Sequence, residues 1–248
     1  MKIGVIIQAR YGSTRLPGKV LLPLKGESVL YHGIKRVQQA KMIDQIIIAT
    51  SSYIQDDKIE AEVKKLGLTC FRGSESDVLS RYYLAAMENN FDIIVRITSD
   101  CPLVDPQVID KVVQKYLDCQ PNISTNTTLD EKYRTYPRGL DVEVFSFKSL
   151  EIAHNEAREP YQREHVTPYI YENSEKIAVV QNDVDYSNYR WTLDTKEDYQ
   201  AIEKIYDYFY RGKHNFFLEN IVELMRKHPE IVALNANIEQ KKLKYNES

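Results

Sequence analysis

Cysteine is scarce in this chain: Cys70, Cys101 and Cys119 are the only three in 248 residues. Their odd number and lack of metal-ligand spacing argue against a disulfide scaffold and fit a reducing compartment, so a cytoplasmic location is expected. No apolar run approaches the roughly 20 residues that span a bilayer, and "KIGVIIQ" near the start is too short for the core of a secretory signal. Neither membrane insertion nor export is expected. An excess of one charge is also lacking, since 33 Lys and Arg stand against 36 Asp and Glu for a formal net charge of -3. That balance disfavours bulk attraction to nucleic acid and makes any basic cluster a local device for a small anion. Internal repeats and low-complexity tracts are absent. So are a G-x-S-x-G elbow, an H-E-x-x-H helix and a Cys/His pair, which leaves no signature of a protein nucleophile.

What is present is a chain 43% hydrophobic and 28% charged, enough apolar material for one large core, and a single domain over residues 1–248 is expected. "IGVII" (3–7), "DQIIIAT" (44–50) and "FDIIVRI" (91–97) are short β-branched runs of the kind that fill a parallel sheet buried on both faces. Between them, residues 29–40, 56–67 and 76–90 carry apolar positions at helical steps, and Gly67 stands where a C-cap belongs. This βαβαβ plan predicts an α/β, Rossmann-like fold, a mostly parallel central sheet with helices on both faces and right-handed crossovers. Ligands of such sheets collect beyond the carboxyl ends of the strands, so the loops after strands are the informative ones.

Past residue 120 the regularity weakens. Residues 123–147 mix turn residues with the alternating "DVEVFSF", read as a small antiparallel excursion at the sheet edge or a flap for dimerisation and substrate. "KIAVVQN" and "YRWTL" read as further strands. Thr195 is the expected N-cap of a helix, with Asp198 three positions on and Tyr199, Ile202, Ile205, Tyr206 and Phe209 along one face. Another helix is expected near 217–227, followed by a polar tail.

The first strand runs into "IIQARYGSTRLPGKVL", which packs Arg10, Arg15 and Lys19 among Gly12, Pro17 and Gly18. A glycine-containing turn at this place brings backbone N–H groups close to a polyanion, and three cations there can converge on one triphosphate. The loop is not a Walker A motif, because Val20 stands where Ser or Thr would be needed. A merely solvated basic loop is the plain alternative. Nucleoside triphosphate chemistry also needs charge neutralisation, which Mg²⁺ supplies when one or two carboxylates help complete its octahedron. Asp100 follows "IIVRITS" and precedes Cys101-Pro102, while Asp194 follows "YRWTL" and precedes the Thr195 helix, so both end strands and are the candidate metal ligands. The competing reading has Asp100 capping a turn and Asp194 favouring a helix N-terminus. Asp198 reads as a capping-box residue.

The first loop resembles the N-terminal signature of the CMP-sugar synthetase, or cytidylyltransferase, superfamily, whose members activate 3-deoxy-manno-octulosonate and acylneuraminate-type acids. The resemblance continues in order through "RVQQAKMIDQIIIATS", "FRGSESDVLSRYY", "VRITSDCPLVDP", "GLDVEV" and "YRWTLDTKEDY", roughly residues 2–205, and is greatest to the spore-coat-polysaccharide branch. It implies a nucleotide-diphospho-sugar transferase fold with Arg10, Ser13, Arg15 and Lys19 on the CTP triphosphate. It also implies metal-binding aspartates at the "D-x-P-L" and "D-T-x-E-D" positions, here Asp100 and Asp194. Arg10, Arg15, Lys19, Asp100 and Asp194 are then the catalytic set. Ala9, Gly12 and Ser13 in the first loop are expected to border the nucleotide, with Thr50, Ser51, Ser74, Asp77 and Arg81 near the base. For Arg81 an ordinary surface salt bridge is the alternative.

For the acceptor, Arg134 and Arg138 are candidates for a carboxylate, and Asp141 and Glu143 for sugar hydroxyls. Arg163, Glu164 and His165 are further contacts or contributions to a partner subunit, although a plain exposed strand and a structural histidine explain these residues too. On this reading residues 1–120 form a nucleotide-binding half and 121–182 an acceptor-binding and dimerisation region. Residues 183–248 then supply a return strand, the second metal aspartate and C-terminal helices. The activity implied is CTP-dependent transfer of a cytidylyl group to an acidic sugar with release of pyrophosphate, in a homodimer serving surface polysaccharide synthesis. Three rivals stay open: a nucleotidyltransferase with another acceptor, a glycosyltransferase of related fold, and a non-catalytic nucleotide sensor.

Overall fold

The β-branched runs form the middle of a seven-stranded sheet in the computed structural model, which describes residues 1–127 and 133–240. The strands are β1 (Ile3–Gln8), β2 (Pro23–Leu24), β3 (Glu27–Ser28), β4 (Gln45–Ser51), β5 (Thr69–Gly73), β6 (Ile93–Thr98), β7 (Ile123–Thr125), β8 (Glu143–Ser146) and β9 (Ile177–Val179). The order across the sheet is β5-β4-β1-β6-β8-β7-β9, and β2 and β3 make a separate antiparallel pair. β1 pairs in parallel with both β4 and β6, so three strands end together at one edge of the sheet. Only β8 runs against its neighbours β6 and β7.

The helices are α1 (Val29–Val37), α2 (Asp57–Lys65), α3 (Val78–Glu88), α4 (Pro106–Cys119), α5 (Phe147–Glu156), α6 (Pro160–His165), α7 (Pro168–Glu172), α8 (Lys196–Phe209), α9 (Leu218–Lys227) and α10 (Pro229–Ala233). Their starts have local causes. Ser28, Asp77 and Asp105 each accept a backbone N–H of the first turn, Pro106 opens α4, and Thr195 and Asp198 cap α8 reciprocally.

Alternation along each strand splits the apolar residues between two cores. Ile3, Val5 and Ile7 pack on one face with residues of α1, α2, α4, α8 and α9, while Ile6, Ile47 and Ile94 pack on the other with α3, α5 and α7. Each fully buried aliphatic side chain contributes about 1.5–3 kcal/mol before entropy is counted, and helices cover both faces as the sequence pattern predicts.

Two expectations need correction. The "DVEVFSF" strand does not lie at the sheet edge: β8 sits between β6 and β7, because Val144 and Phe145 are both buried and require cover on both faces. The return strand "YRWTL" does not join the sheet, since its only ladder contact is an isolated parallel bridge from Arg190 to Arg138. The segment instead crosses the ends of the strands, where Leu193 N–H donates to the Asp100 carbonyl. Beyond these, β5, α4 and α5–α7 form elements that the periodicity reading did not separate. The part of the expected flap at 128–132 and the tail at 241–248 lie outside the described residues. Among the described residues no helix is long and apolar enough to cross a membrane.

Candidate active site

The loop after β1 closes on itself before it delivers a cation. The Tyr11 carbonyl accepts from the N–H groups of Ser13 at 3.0 Å and Gly18 at 2.9 Å, and the Ser13 hydroxyl accepts from Leu16 N–H. Gly18 has φ 69°, and a Cβ there would meet the Tyr11 ring at 2.8 Å, so the turn requires glycine. The loop is anchored from outside by Asp56. One of its oxygens accepts the Tyr11 N–H at 2.7 Å, and the other accepts the N–H and hydroxyl of Ser51 at the end of β4. A single 3₁₀ turn at Lys19–Leu21 then follows.

Lys19 is aimed at the two aspartates. Its Nζ donates to Asp100 Oδ2 at 2.7 Å, to the Leu193 carbonyl at 2.7 Å and to Asp194 Oδ1 at 2.8 Å. An ammonium has three N–H bonds, and here all three have an oxygen acceptor. Residues separated by 81 and 175 positions in the chain therefore meet at one nitrogen. Burial disfavours both the ammonium and the Asp100 carboxylate. Their mutual attraction outweighs it, raising the Lys19 pKa and lowering that of Asp100.

Asp194 is held from two further sides. Its second oxygen meets Arg15 at 2.8 Å on the solvent side and Arg190 at 2.8 Å on the buried side. Arg190 also donates to both oxygens of Asp198, whose carboxylate accepts the N–H groups of Asp194 and Thr195. Burial works against the Arg190 charge, but Asp198 and Asp194 raise its pKa. Asn235 and Gln240 complete the cluster with bonds to Asp198 and Arg190. Asp198 is thus the expected cap of α8 and also a support for Asp194.

The remaining sequence-predicted residues divide into engaged and unengaged groups. Arg81 is 1% exposed, and its Nε and Nη1 meet no partner among the described residues; desolvation lowers its pKa. The buried Thr50 hydroxyl is likewise unpartnered, whereas Ser51 is committed to Asp56. Ser74 accepts from Asp77 N–H, and Asp77 caps α3 while pairing with Arg163 at 2.7 Å. Arg163 also donates to the carbonyls of His154 and Ala157, so it ties α6 to α3 and α5. Ala9 extends the strand pairing through its N–H to the Ala49 carbonyl, and Gly12 lies beside Gln55 and Glu75. Among the described residues Arg10 pairs with Glu164, at 4.0 Å, with both side chains about half exposed.

Among the acceptor candidates, Arg134 pairs with Asp141 at 2.5 Å and donates to Thr127. Arg138 holds the 189–191 segment through its backbone, and His165 ends α6. Glu143, a candidate for sugar hydroxyls, is buried and accepts from Arg96, Thr167 and Tyr171, which makes it part of an internal polar knot between β6, β8 and α7 and not of the plain exposed strand that was the alternative. The structure thus gathers Arg15, Lys19, Asp100 and Asp194 at one point and leaves the acceptor candidates spread over several contacts.

Two residues of the site, Asp56 and Arg190, were not anticipated. The R-x-x-x-D-x-x-x-D spacing of Arg190, Asp194 and Asp198 was the available signal for the second; nothing local marks the first.

The geometry offers a glycine-containing loop, a cation and two convergent carboxylates near the carboxyl ends of parallel strands, the place where such sheets bind ligands. A family model described as cytidylyltransferase matches residues 4–247. The spore coat polysaccharide biosynthesis protein SpsF of Bacillus subtilis is 38% identical over 81% of this chain and 85% of its own. A solved cytidylyltransferase from Leptospira borgpetersenii is 39% identical and superposes with a TM-score of 0.88 over 98% of this chain and all of its own. CMP:2-keto-3-deoxy-manno-octonic acid synthetase in complex with CTP, 18% identical, shares the fold with a TM-score of 0.63 over 84% of this chain and 99% of its own. The chain belongs to the cytidylyltransferase family and is a nucleotidyltransferase.

Proposed function

We propose that the protein transfers the cytidylyl group of CTP to a hydroxyl of an acidic sugar and releases pyrophosphate. The observation that carries this reading is the meeting of Lys19 with Asp100 and Asp194 at 2.7 and 2.8 Å beyond the ends of β1 and β6. The sugar oxygen forms a bond to the α-phosphorus, the bond from that phosphorus to the bridging oxygen of the β-phosphate breaks, and the hydroxyl proton passes to solvent.

Each group has a task in that displacement. Arg10, Arg15 and Lys19 bind the β- and γ-phosphates and stabilise the departing pyrophosphate. Arg81, two of whose buried nitrogens have no acceptor among the described residues, is the candidate donor to the acceptor edge of the base. Asp100 and Asp194 form an all-oxygen donor set within reach of a single cationic nitrogen, which suits a hard divalent cation such as Mg²⁺. Such an ion, held by these two aspartates, supplies neutralisation of phosphate charge when bound. No covalent enzyme intermediate is needed, because positioning and electrostatics carry such reactions.

Similarity to the 3-deoxy-manno-octulosonate cytidylyltransferase of Geotalea daltonii, 36% identical over 46% of this chain and 44% of its own, supports an acidic sugar as acceptor. The test is pyrophosphate release with CTP, UTP, GTP and ATP against a panel of ulosonic and nonulosonic acids. Release with CTP and at least one acid is expected, with loss in Asp100→Ala at unchanged folding. Release only with another triphosphate, or with none, refutes the reading.

A further inference from the structure

We propose that Lys19 is a place-holder: in the free protein its ammonium occupies the position of the divalent cation, so metal enters only after a nucleotide's phosphates have drawn Lys19 away. This inference rests on the proposed nucleotidyl transfer and adds an order to its binding steps.

Three observations support it. First, the ammonium is saturated, with Asp100 Oδ2, Asp194 Oδ1 and the Leu193 carbonyl taking its three N–H bonds. Those oxygens form the donor set that a hard cation would use, so lysine and metal compete for the same lone pairs. Second, Lys19 is only 12% exposed, and water gives little help in separating the pair. Third, the local charge is already balanced. Asp100, Asp194 and Asp198 are matched by Lys19, Arg15 and Arg190, so the free cluster exerts little net attraction on a dication.

A triphosphate changes that balance. Lys19 and Arg15 both stand on the loop that a polyanion would meet, and Arg15, about a third exposed, is the more accessible of the two. Arg190 stays, held by Asp198 from within. Once Lys19 and Arg15 bind phosphate oxygens, Asp100 and Asp194 are left with an uncompensated negative charge that only an incoming cation neutralises. Nucleotide and metal then bind with positive coupling, and the free enzyme is protected from metal alone.

The test uses Mn²⁺ alone on the full-length protein, with the unbound ion measured by its paramagnetic resonance signal. Wild type without nucleotide is expected to bind Mn²⁺ at this site at least about tenfold more weakly than Lys19→Met or Lys19→Gln, which leave the carboxylates open. Adding Asp100→Asn to either variant should abolish the gain. A measurement on wild type needs no substitution: the Lys19 ammonium should give a slowly exchanging ¹H–¹⁵N signal, unaltered by Mg²⁺ and lost with Mg²⁺ plus inorganic tripolyphosphate. Equal Mn²⁺ affinity in wild type and variants, or loss of the ammonium signal with Mg²⁺ alone, overturns the proposal. Neither readout uses CTP or a sugar, so failure of the pyrophosphate screen and failure of this inference are separate results.

Discussion

Asp56 and Tyr11 stand 45 positions apart in the chain, yet the Asp56 carboxylate accepts the Tyr11 amide at 2.7 Å and, with its other oxygen, the N–H and hydroxyl of Ser51. One buried side chain thereby fixes the start of the first loop to the end of β4. Asp56→Ala leaves those donors without an acceptor, which costs about 1–3 kcal/mol for a buried group. The expected outcome is a lower melting temperature and a KM for CTP that rises by more than kcat falls, because the loop is loosened before the chemistry begins. A variant with unchanged CTP affinity would show that the loop holds its shape without this anchor.

Arg190 supports Asp194 from inside the protein. It joins Asp194 to Asp198, which has no exposed surface, and it takes part in the contacts with Asn235 and Gln240. Arg190→Met removes one partner of a buried charge network and leaves Asp198 to its remaining amide donors, a change that typically costs about 3–5 kcal/mol. Arg190→Lys keeps the charge but not the fork, so it should fold better while holding Asp194 less firmly. For the lysine variant the expected signature is a raised metal requirement at near-normal stability. Urea unfolding and metal-dependence curves measure the two effects separately.

How much of this was legible beforehand follows sequence distance. The first loop, Asp100 and Asp194 were readable because each carries a local sign: a glycine turn after a β-branched run, a proline two residues on, a capping box. The opposition of Arg96 to Glu143, 47 positions apart, carries no local sign, and the alternation of β8 by itself reads as an antiparallel excursion at the sheet edge. Its burial becomes tolerable only because Arg96 of β6, Thr167 at the start of α7 and Tyr171 within α7 converge on the carboxylate. Asp56 carries no local sign either, being one acid in an acidic stretch until the fold brings Tyr11 and Ser51 to it. The "YRWTL" segment shows the reverse case. It has strand composition, yet Gly139 at φ 98° packs against the Trp191 backbone so closely that a Cβ would lie 2.5 Å from it, and one bridge replaces a ladder.

Acid should weaken the fold through a histidine pair remote from the aspartates. His32 Nδ1 and His214 Nε2 lie 2.8 Å apart among Tyr31, Tyr206 and Tyr210, and His32 Nε2 bonds the Leu24 carbonyl. Burial, with the Arg36 charge nearby, depresses their pKa values to about 4 for His32 and about 3 for His214; at His214 the neighbouring imidazole adds to the effect. Both values are below the ordinary 6.5, so between them and 6.5 the unfolded chain binds protons that the folded one refuses. Stability is therefore flat above about pH 6.5 and falls as pH descends toward 4, by up to about 1.4 kcal/mol per pH unit for each proton. Urea midpoints between pH 7.5 and 5 should show this slope, and His214→Gln should remove roughly one proton's share. An unchanged slope in that variant would place the acid sensitivity elsewhere.

Arg81 should prove costly to the fold and necessary to binding. Its guanidinium is almost wholly buried on α3, packed against Gly73 at the end of β5, and two of its nitrogens have no acceptor within the protein. A folded chain gains nothing from a charge left in that state, and burial indeed pulls its pKa down. Arg81→Met keeps much of the volume and removes the unmet N–H groups, so the melting temperature should rise. CTP affinity should fall by about 10- to 100-fold, the loss expected when hydrogen bonds from a charged donor worth about 1.5–3 kcal/mol disappear. The two changes in opposite directions are the signature of a residue kept for its ligand. A lower melting temperature with CTP binding intact would instead make Arg81 a support of α3.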